Sequence, residues 1–298
     1  MKQKRTFLAI GECMIEMAPR RDGSYAMGYA GDSFNTAWYA RRVAGDAVDV
    51  AFLSAIGDDA PSAAMAAFIE TAGVRRELAI RPGGSVGLYL ITLEAGERRF
   101  SYWRRDSAAR SLANDLEALE VLGVGDVAYI TGITLAILPE EGRTKLLSSL
   151  NDVRARGGLV AFDPNLRPAL WPGRDAMRHW VTEAARVADV VLPSFEDEAA
   201  HFEDRDPAAT AQRYERAGAS RVVVKDGPGD VMIAQEGTRK RVSPPSDTAV
   251  VDTTAAGDSF NARFLIGLMQ GEPTENAVSS ACALAARVIG GRGALVDC

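Results

Sequence analysis

Residues 251 to 262 read Val251-Asp252-Thr253-Thr254-Ala255-Ala256-Gly257-Asp258-Ser259-Phe260-Asn261-Ala262. Small residues at 255 to 257 let the backbone approach a ligand closely, and a helical pattern follows at once from Ser259 to Met269. A helix that starts there leaves its first N–H groups without internal acceptors, all facing a common point. The positive end of the helix dipole favours negative charge, so the segment reads as an anion hole whose natural occupant is a phosphoryl group in transfer. Asp258 at the first turn has a plainer reading as an N-cap, the commonest use of Asp in that place. An N-cap alone, however, does not call for the Asp-Thr-Thr-Ala-Ala-Gly string ahead of it.

Working outward, short apolar runs alternate with longer stretches of helical period, the pattern of βαβ units around a mainly parallel sheet. The strands expected are Phe7 to Ile10, Val50 to Leu53, Val127 to Ile130, Leu159 to Phe162, Val190 to Leu192 and Val222 to Val224. Helices are expected at 34–43, 62–72, 140–156, 176–188, 207–217, 259–269 and 275–289. Gly11, Gly57, Gly132, Asp163, Ser194 and Lys225 stand at or just beyond strand ends. In an open parallel sheet the ligand lies beyond the carboxyl ends of the strands, so these residues mark the rim of a site. No repeat or low-complexity linker divides the chain, which implies one α/β domain over 1–298. Two segments break the alternation, about 14–30 and 86–104. Both mix aromatic and polar residues without helical period, which suggests antiparallel strands forming a small sheet, a lid over the rim.

Composition excludes other classes. The formal net charge is -6, with Lys and Arg scattered, so a nucleic-acid surface is not expected. Cys13, Cys282 and Cys298 form no CxxC pair, and His179 and His201 have no metal-ligand spacing; neither a disulfide framework nor a zinc site is implied, and a cytoplasmic setting fits. The basic start Met1-Lys2-Gln3-Lys4-Arg5 is followed by too short an apolar run for a signal peptide. No segment reaches the roughly 20 apolar residues needed to span a bilayer, so no membrane partner is expected. No Gly-Lys dipeptide occurs, so a P-loop is absent, and no GxGxxG follows the first strand. Gly83-Gly84-Ser85-Val86-Gly87 matches GxSxG, but a nucleophile elbow needs a helix after the Ser, and a strand pattern follows here.

With these features in hand, the chain resembles the ribokinase-like, or phosphofructokinase B type, carbohydrate kinases. Asp252 to Asn261 resembles their second signature, DTxGAGD, with Ala255 where Gly is usual, a replacement associated with the 2-keto-3-deoxygluconate kinase branch. Gly28 to Ala37 is similar to the substrate-binding GGxxxN segment, Ala51 to Asp59 to the first signature, and Asp163-Pro164-Asn165-Leu166-Arg167 to the DPNxR element. The resemblance implies a three-layer α/β/α domain with a mainly parallel sheet and a small β-sheet lid.

It also implies roles. Asp258 would be the general base that accepts the sugar hydroxyl proton, and the N–H groups of Ala255, Ala256, Gly257 and Asp258 would stabilise the phosphoryl group. Asn165, Arg167, Ser194, Lys225, Gly227 and Gly229 would lie near ATP. Mg²⁺ would be held through phosphates and water, with Asp197 able to order that water. The family's NxxE element is replaced here by Ser194 and Asp197. Gly31, Asp32 and Asn35 would contact one end of the substrate, and Tyr89, Tyr102, Arg104 and Arg167 the other. Arginine forks suit the carboxylate of a sugar acid. The reaction implied is phosphorylation of 2-keto-3-deoxygluconate at its 6-hydroxyl. The alternatives are a fructokinase, ribokinase or other sugar-acid kinase, or a non-catalytic binding protein. Exposed lid edges suggest a homo-oligomer.

Overall fold

The computed structural model describes residues 4–20, 22–94, 97–246 and 248–297; Met1 to Gln3 of the basic start and Cys298 lie outside them. In chain order the first part runs β1 (Arg5–Ile10), β2 (Met14–Pro19), β3 (Tyr25–Ala30), α1 (Asp32–Ala44), β4 (Val48–Gly57), α2 (Ala60–Thr71), β5 (Arg75–Arg81), β6 (Leu88–Glu94) and β7 (Glu97–Trp103). A 3-10 segment at Ala108–Asn114 leads to α3 (Glu117–Glu120), β8 (Val127–Thr131), α4 (Gly132–Ile137), α5 (Glu140–Ala155) and β9 (Leu159–Asp163). Then come α6 (Arg174–Val187), β10 (Val190–Val191), α7 (Phe195–Phe202), α8 (Pro207–Ala217), β11 (Arg221–Val224), β12 (Val231–Gln235), β13 (Thr238–Val242), α9 (Ala256–Met269) and α10 (Thr274–Ile289).

Nine strands form one sheet in the order β13-β12-β11-β10-β9-β8-β1-β4-β5. All neighbours from β11 to β5 pair in parallel, and β12 and β13 add an antiparallel edge. Side chains alternate between faces along a strand, and β1 shows the result. Phe7 and Ala9 feed a core beneath α1, α2, α9 and α10, while Leu8 and Ile10 feed another beneath α5, α6 and α8. Because both faces are covered, the central strands are nearly continuous apolar runs, which is why they were legible. The architecture is therefore the three-layer α/β/α arrangement with a mainly parallel sheet.

A second sheet has the order β3-β2-β6-β7. Its hairpins β2–β3 and β6–β7 are antiparallel, but they join through a parallel β2–β6 pair, which the sequence did not indicate. Met14, Ala30, Tyr89 and Ile91 of this sheet form a small cluster with Ala294, against which Ala255 packs.

Several boundaries differ from expectation. α9 begins at Ala256 rather than Ser259, because Ala255 takes the left-handed conformation (φ 59°) and serves as the N-cap. α1 begins at Asp32, two residues ahead of the expected start. β5, β13, α3, α4 and α7 had no clear signal; β13 (TRKRV) is a charged edge strand with no apolar run, and β5 (RRELAIR) is an edge strand whose short run Leu78 to Ile80 is flanked by charges. Ser85 lies in the connection from β5 to β6 with no helix after it, so it is not a nucleophile elbow. Cys13 and Cys282 are buried free thiols. No helix of the described residues is long and apolar enough to cross a membrane.

Tight loops shape the rim at the carboxyl end of the sheet. A Cβ on Gly31 would lie 2.1 Å from the Glu12 carbonyl oxygen, and one on Gly132 would lie 1.9 Å from that of Pro164. Neither position accepts a side chain, so the loops after β1 and β9 pass directly over these helix starts.

Candidate active site

Two helix N-termini meet at the rim. α1 starts after Gly31 and α9 after Ala255; neither has a side-chain cap, and each carries an aspartate in its first turn, Asp32 and Asp258. Asn35 links them. Its Nδ2 donates to Asp258 Oδ2 at 2.8 Å, while its Oδ1 accepts from the Gly31 N–H at 3.3 Å, so the carboxamide is held at both ends. Burial, then the negative charge of Asp32, pushes the Asp258 carboxyl up to about 7; Asp163 adds to the rise, and the Asn35 donor and Lys225 oppose it. A carboxylate poised there is matched to taking a proton near neutral pH.

Beneath the loop is a buried polar floor. Asp163, at the end of β9, accepts from Lys225 Nζ at 2.9 Å and from Asn261 Nδ2 at 2.6 Å. Lys225 Nζ also reaches Asn261 Oδ1 at 3.2 Å, and Asn261 Nδ2 donates to Tyr129 Oη at 3.1 Å. Lys225 Nζ would stand 3.6 Å from a Cβ on Gly257, so the absent side chain brings this ammonium up under the anion loop. Ser194 is paired with Lys225 through a backbone bridge, and Gly227 (φ 52°) turns the chain between β11 and β12. In that turn the Gly229 N–H closes on the Asp226 carbonyl at 2.7 Å.

One expected donor is withdrawn. The Ala256 N–H donates to the Thr253 carbonyl at 3.2 Å, closing the turn that Ala255 requires, so it is not available to an anion in this arrangement. The Gly257 and Asp258 N–H groups, second and third in the helix, have no intrahelical acceptor by helix geometry.

The other expected residues lie around the same space. Asp32 Oδ2 accepts from Asn165 Nδ2 at 2.8 Å, and Asn165 itself adopts φ 34°. Tyr89 and Tyr102 are paired at 5.9 Å between ring centroids, with the Arg104 guanidinium 5.9 Å from the Tyr102 ring. Burial holds the Tyr102 hydroxyl pKa above its ordinary value; Arg104 and Arg167 oppose the rise and Asp32 adds to it. Arg167 is about half exposed and stands 3.8 Å from Asp197, whose carboxyl is held above the ordinary range by burial against the pull of Arg167.

Two details modify the expected picture. Tyr89 is buried and its hydroxyl donates to Glu16, so that hydroxyl already has an acceptor. Arg104 is ion-paired with Glu12, which also accepts from Ser107 Oγ at 2.5 Å, while Arg104 Nε is buried without a partner. Glu12 was not expected in the site; its one signal is being the only acidic residue within the apolar run Phe7 to Ile15. Asn261 was quoted only as part of a motif, and Asp163 as part of a motif and as a strand-end residue at the rim, without a role of its own. Among the described residues no group of three or more His, Cys, Asp or Glu side chains is gathered to hold a metal ion. Asp197, a lone rim carboxylate, fits an indirect role toward a hydrated cation.

A sequence profile of the pfkB family carbohydrate kinases matches residues 4–297. A 2-dehydro-3-deoxygluconokinase of Haemophilus influenzae is 35% identical, the match covering 97% of this chain and 94% of that protein. A protein of the same name from Dickeya dadantii is 36% identical, over 96% of this chain and 95% of its own length. Aminoimidazole riboside kinase from Salmonella enterica, solved with aminoimidazole riboside and an ATP analog, superposes with a TM-score of 0.85 at 20% identity, covering 97% of this chain and 94% of that one. A profile that spans almost the whole chain and relatives this similar over nearly their full length agree: the chain belongs to the pfkB family of carbohydrate kinases.

Proposed function

We propose that this enzyme transfers the γ-phosphoryl group of ATP to the 6-hydroxyl of 2-keto-3-deoxygluconate, giving 2-keto-3-deoxy-6-phosphogluconate. The observation that carries the chemistry is Asp258, a carboxylate raised to about 7 at the open N-terminus of α9. The names of the relatives at 35% and 36% identity support the acceptor.

In this reading the ionised Asp258 takes the hydroxyl proton as the oxygen attacks phosphorus in line, and Asn35 fixes the carboxylate for that contact. The Ala255, Gly257 and Asp258 N–H groups, with Lys225 below them, stabilise charge on the transferring group. Asn165, Ser194, Gly227 and Gly229 border the nucleotide. Asp197 would order the water around Mg²⁺ brought in with the nucleotide, an ion that would supply neutralisation of phosphate charge. Gly31, Asp32 and Asn35 hold one end of the sugar acid. Tyr89, Tyr102, Arg104 and Arg167 hold the other, where the unpartnered Arg104 Nε is a donor awaiting an acceptor. The small sheet acts as a lid, and its edge strands β3 and β7 offer a surface for a homo-oligomer. Buried free thiols suit the reducing cytoplasm.

A coupled ADP-release assay across sugars and sugar acids tests the acceptor. Turnover is expected to be fastest with 2-keto-3-deoxygluconate, and faster turnover with fructose overturns the assignment. Arg104→Ala and Arg167→Lys are expected to raise KM for the acid more than for a neutral analogue. Equal increases would assign these arginines to ATP or to packing.

A further inference from the structure

Arg98, on β7 of the small sheet, reaches across to the loop ahead of α9. Its Nη1 donates to Thr254 Oγ1 at 2.9 Å, and its Nη2 is paired with Asp252 Oδ2 at 2.8 Å. Asp252 is itself a junction: Oδ1 accepts from the Thr254 N–H at 3.1 Å and from Thr254 Oγ1 at 2.7 Å, and Oδ2 accepts from the Gly293 N–H at 2.7 Å. Its side chain is only 8% exposed, which shields these bonds from water. The next residue, Ala255, carries the left-handed backbone that closes the turn and aims the α9 N–H groups. An alanine does not adopt that conformation without cost, so the surroundings must enforce it. The small sheet supplies part of the enforcement: the Arg98 guanidinium grips Thr254, and Ala255 packs on the cluster of Met14, Tyr89 and Ile91 with Ala294, as well as on the core beneath α1 and α9.

We propose that Arg98 is a positioning residue for phosphoryl transfer, coupling the seating of the small sheet to the turn at Ala255 that points the anion-binding N–H groups. The proposal rests on the reading of this loop as the phosphoryl site. It gives the lid a part beyond sealing the sugar, since a sheet out of place removes the Arg98 clamp from Thr254 and Asp252 and one of the surfaces on which Ala255 packs, while Asp252 keeps its own bonds to Thr254. The effect is felt in the chemical step, where the N–H groups act, rather than in ground-state binding.

Steady-state kinetics of the full-length enzyme with MgATP and 2-keto-3-deoxygluconate provide the test. Arg98→Ala is expected to lower kcat about tenfold with both KM values within about twofold, and Arg98→Lys, which keeps a donor, to recover at least about a third of the activity. Thr254→Val removes the acceptor; combined with Arg98→Ala it is expected to reduce kcat by clearly less than the product of the two single effects, because the two changes share the Arg98–Thr254 contact. Unchanged kcat per folded molecule with a lower melting temperature would make Arg98 a structural link and overturn the proposal. A rise confined to KM for ATP overturns it too, by making Arg98 a direct phosphate ligand. Failure of the underlying reading shows separately: an Asp258→Asn enzyme of near-normal turnover removes the phosphoryl site itself, whereas an inactive Asp258→Asn with a fully active Arg98→Ala removes the coupling alone.

Discussion

The starts of α1 and α9 are alike in sequence logic and opposite in use. Each helix opens without a side-chain cap and places an aspartate in its first turn. Asp32 spends its carboxylate on structure: Oδ1 accepts from the adjacent Ser33 N–H at 2.8 Å, and Oδ2 accepts from Asn165. Asp258 accepts instead from the Asn35 side chain and is raised to about 7, in part by Asp32 itself. α8 supplies the ordinary case, with Asp206 capping the helix through the Ala209 N–H. An aspartate at a helix start is thus a brace or a base according to whether its own backbone consumes its lone pairs. The neighbouring brace also tunes the base.

The sharpest break between the two aspartates is expected in turnover. Asp258→Asn should lower kcat by at least ~100-fold with nucleotide binding kept, whereas Asp32→Asn should act mainly through KM for the sugar. Equal losses of kcat would erase the distinction. The pH profile comes next. With an ionised Asp258 required, kcat/KM should rise about tenfold per pH unit and level near pH 7. Asp32→Asn removes a repelling charge and should move that limb to lower pH, and Asn35→Ala removes a stabilising donor and should move it higher; limbs that stay put would deny the coupling. The smallest effect is on stability. A carboxyl raised from 3.8 to about 7 on folding favours the protonated native state, so its contribution is full below the ordinary value and is lost as pH rises through about 7. Asp258→Asn should therefore melt several degrees above the parent at pH 8, the gap closing as pH falls toward 4. A gap independent of pH would show that ionised Asp258 carries no burial penalty.

What could be read in advance follows the same physics. Phe7 to Ile10 and Val127 to Ile130 announce themselves because both faces of their strands are covered, while β5 and β13, charged and at the edges, look like loops. Asp258 and Asn35 were visible as motif residues. Their 2.8 Å contact was not, since it joins segments 223 positions apart. The start of α9 was placed late because Asp-Thr-Thr-Ala-Ala-Gly has turn composition, and only the left-handed Ala255 reveals where the turn ends. Arg104 looked like a free cation for a carboxylate, yet Glu12, from the loop after β1, already occupies one of its nitrogens. Arg98 sits in an ordinary charged strand and had no signal at all.

The strand order has a bearing on how the chain is made. β1 lies inside the sheet between β4 and β8, and from β8 through β13 each later strand joins the one before it. During synthesis, then, β1, β4 and β5 can assemble first, after which the open side of β1 becomes the template for β8, and the growing edge moves outward strand by strand. One face of that sheet, bearing Phe7, Tyr129 and Val223, gains its final cover only when α9 and α10 have left the ribosome. One of the two helices that complete the cover, α9, also carries Asp258, so a nascent chain acquires its base in the same stage that buries this face of the sheet.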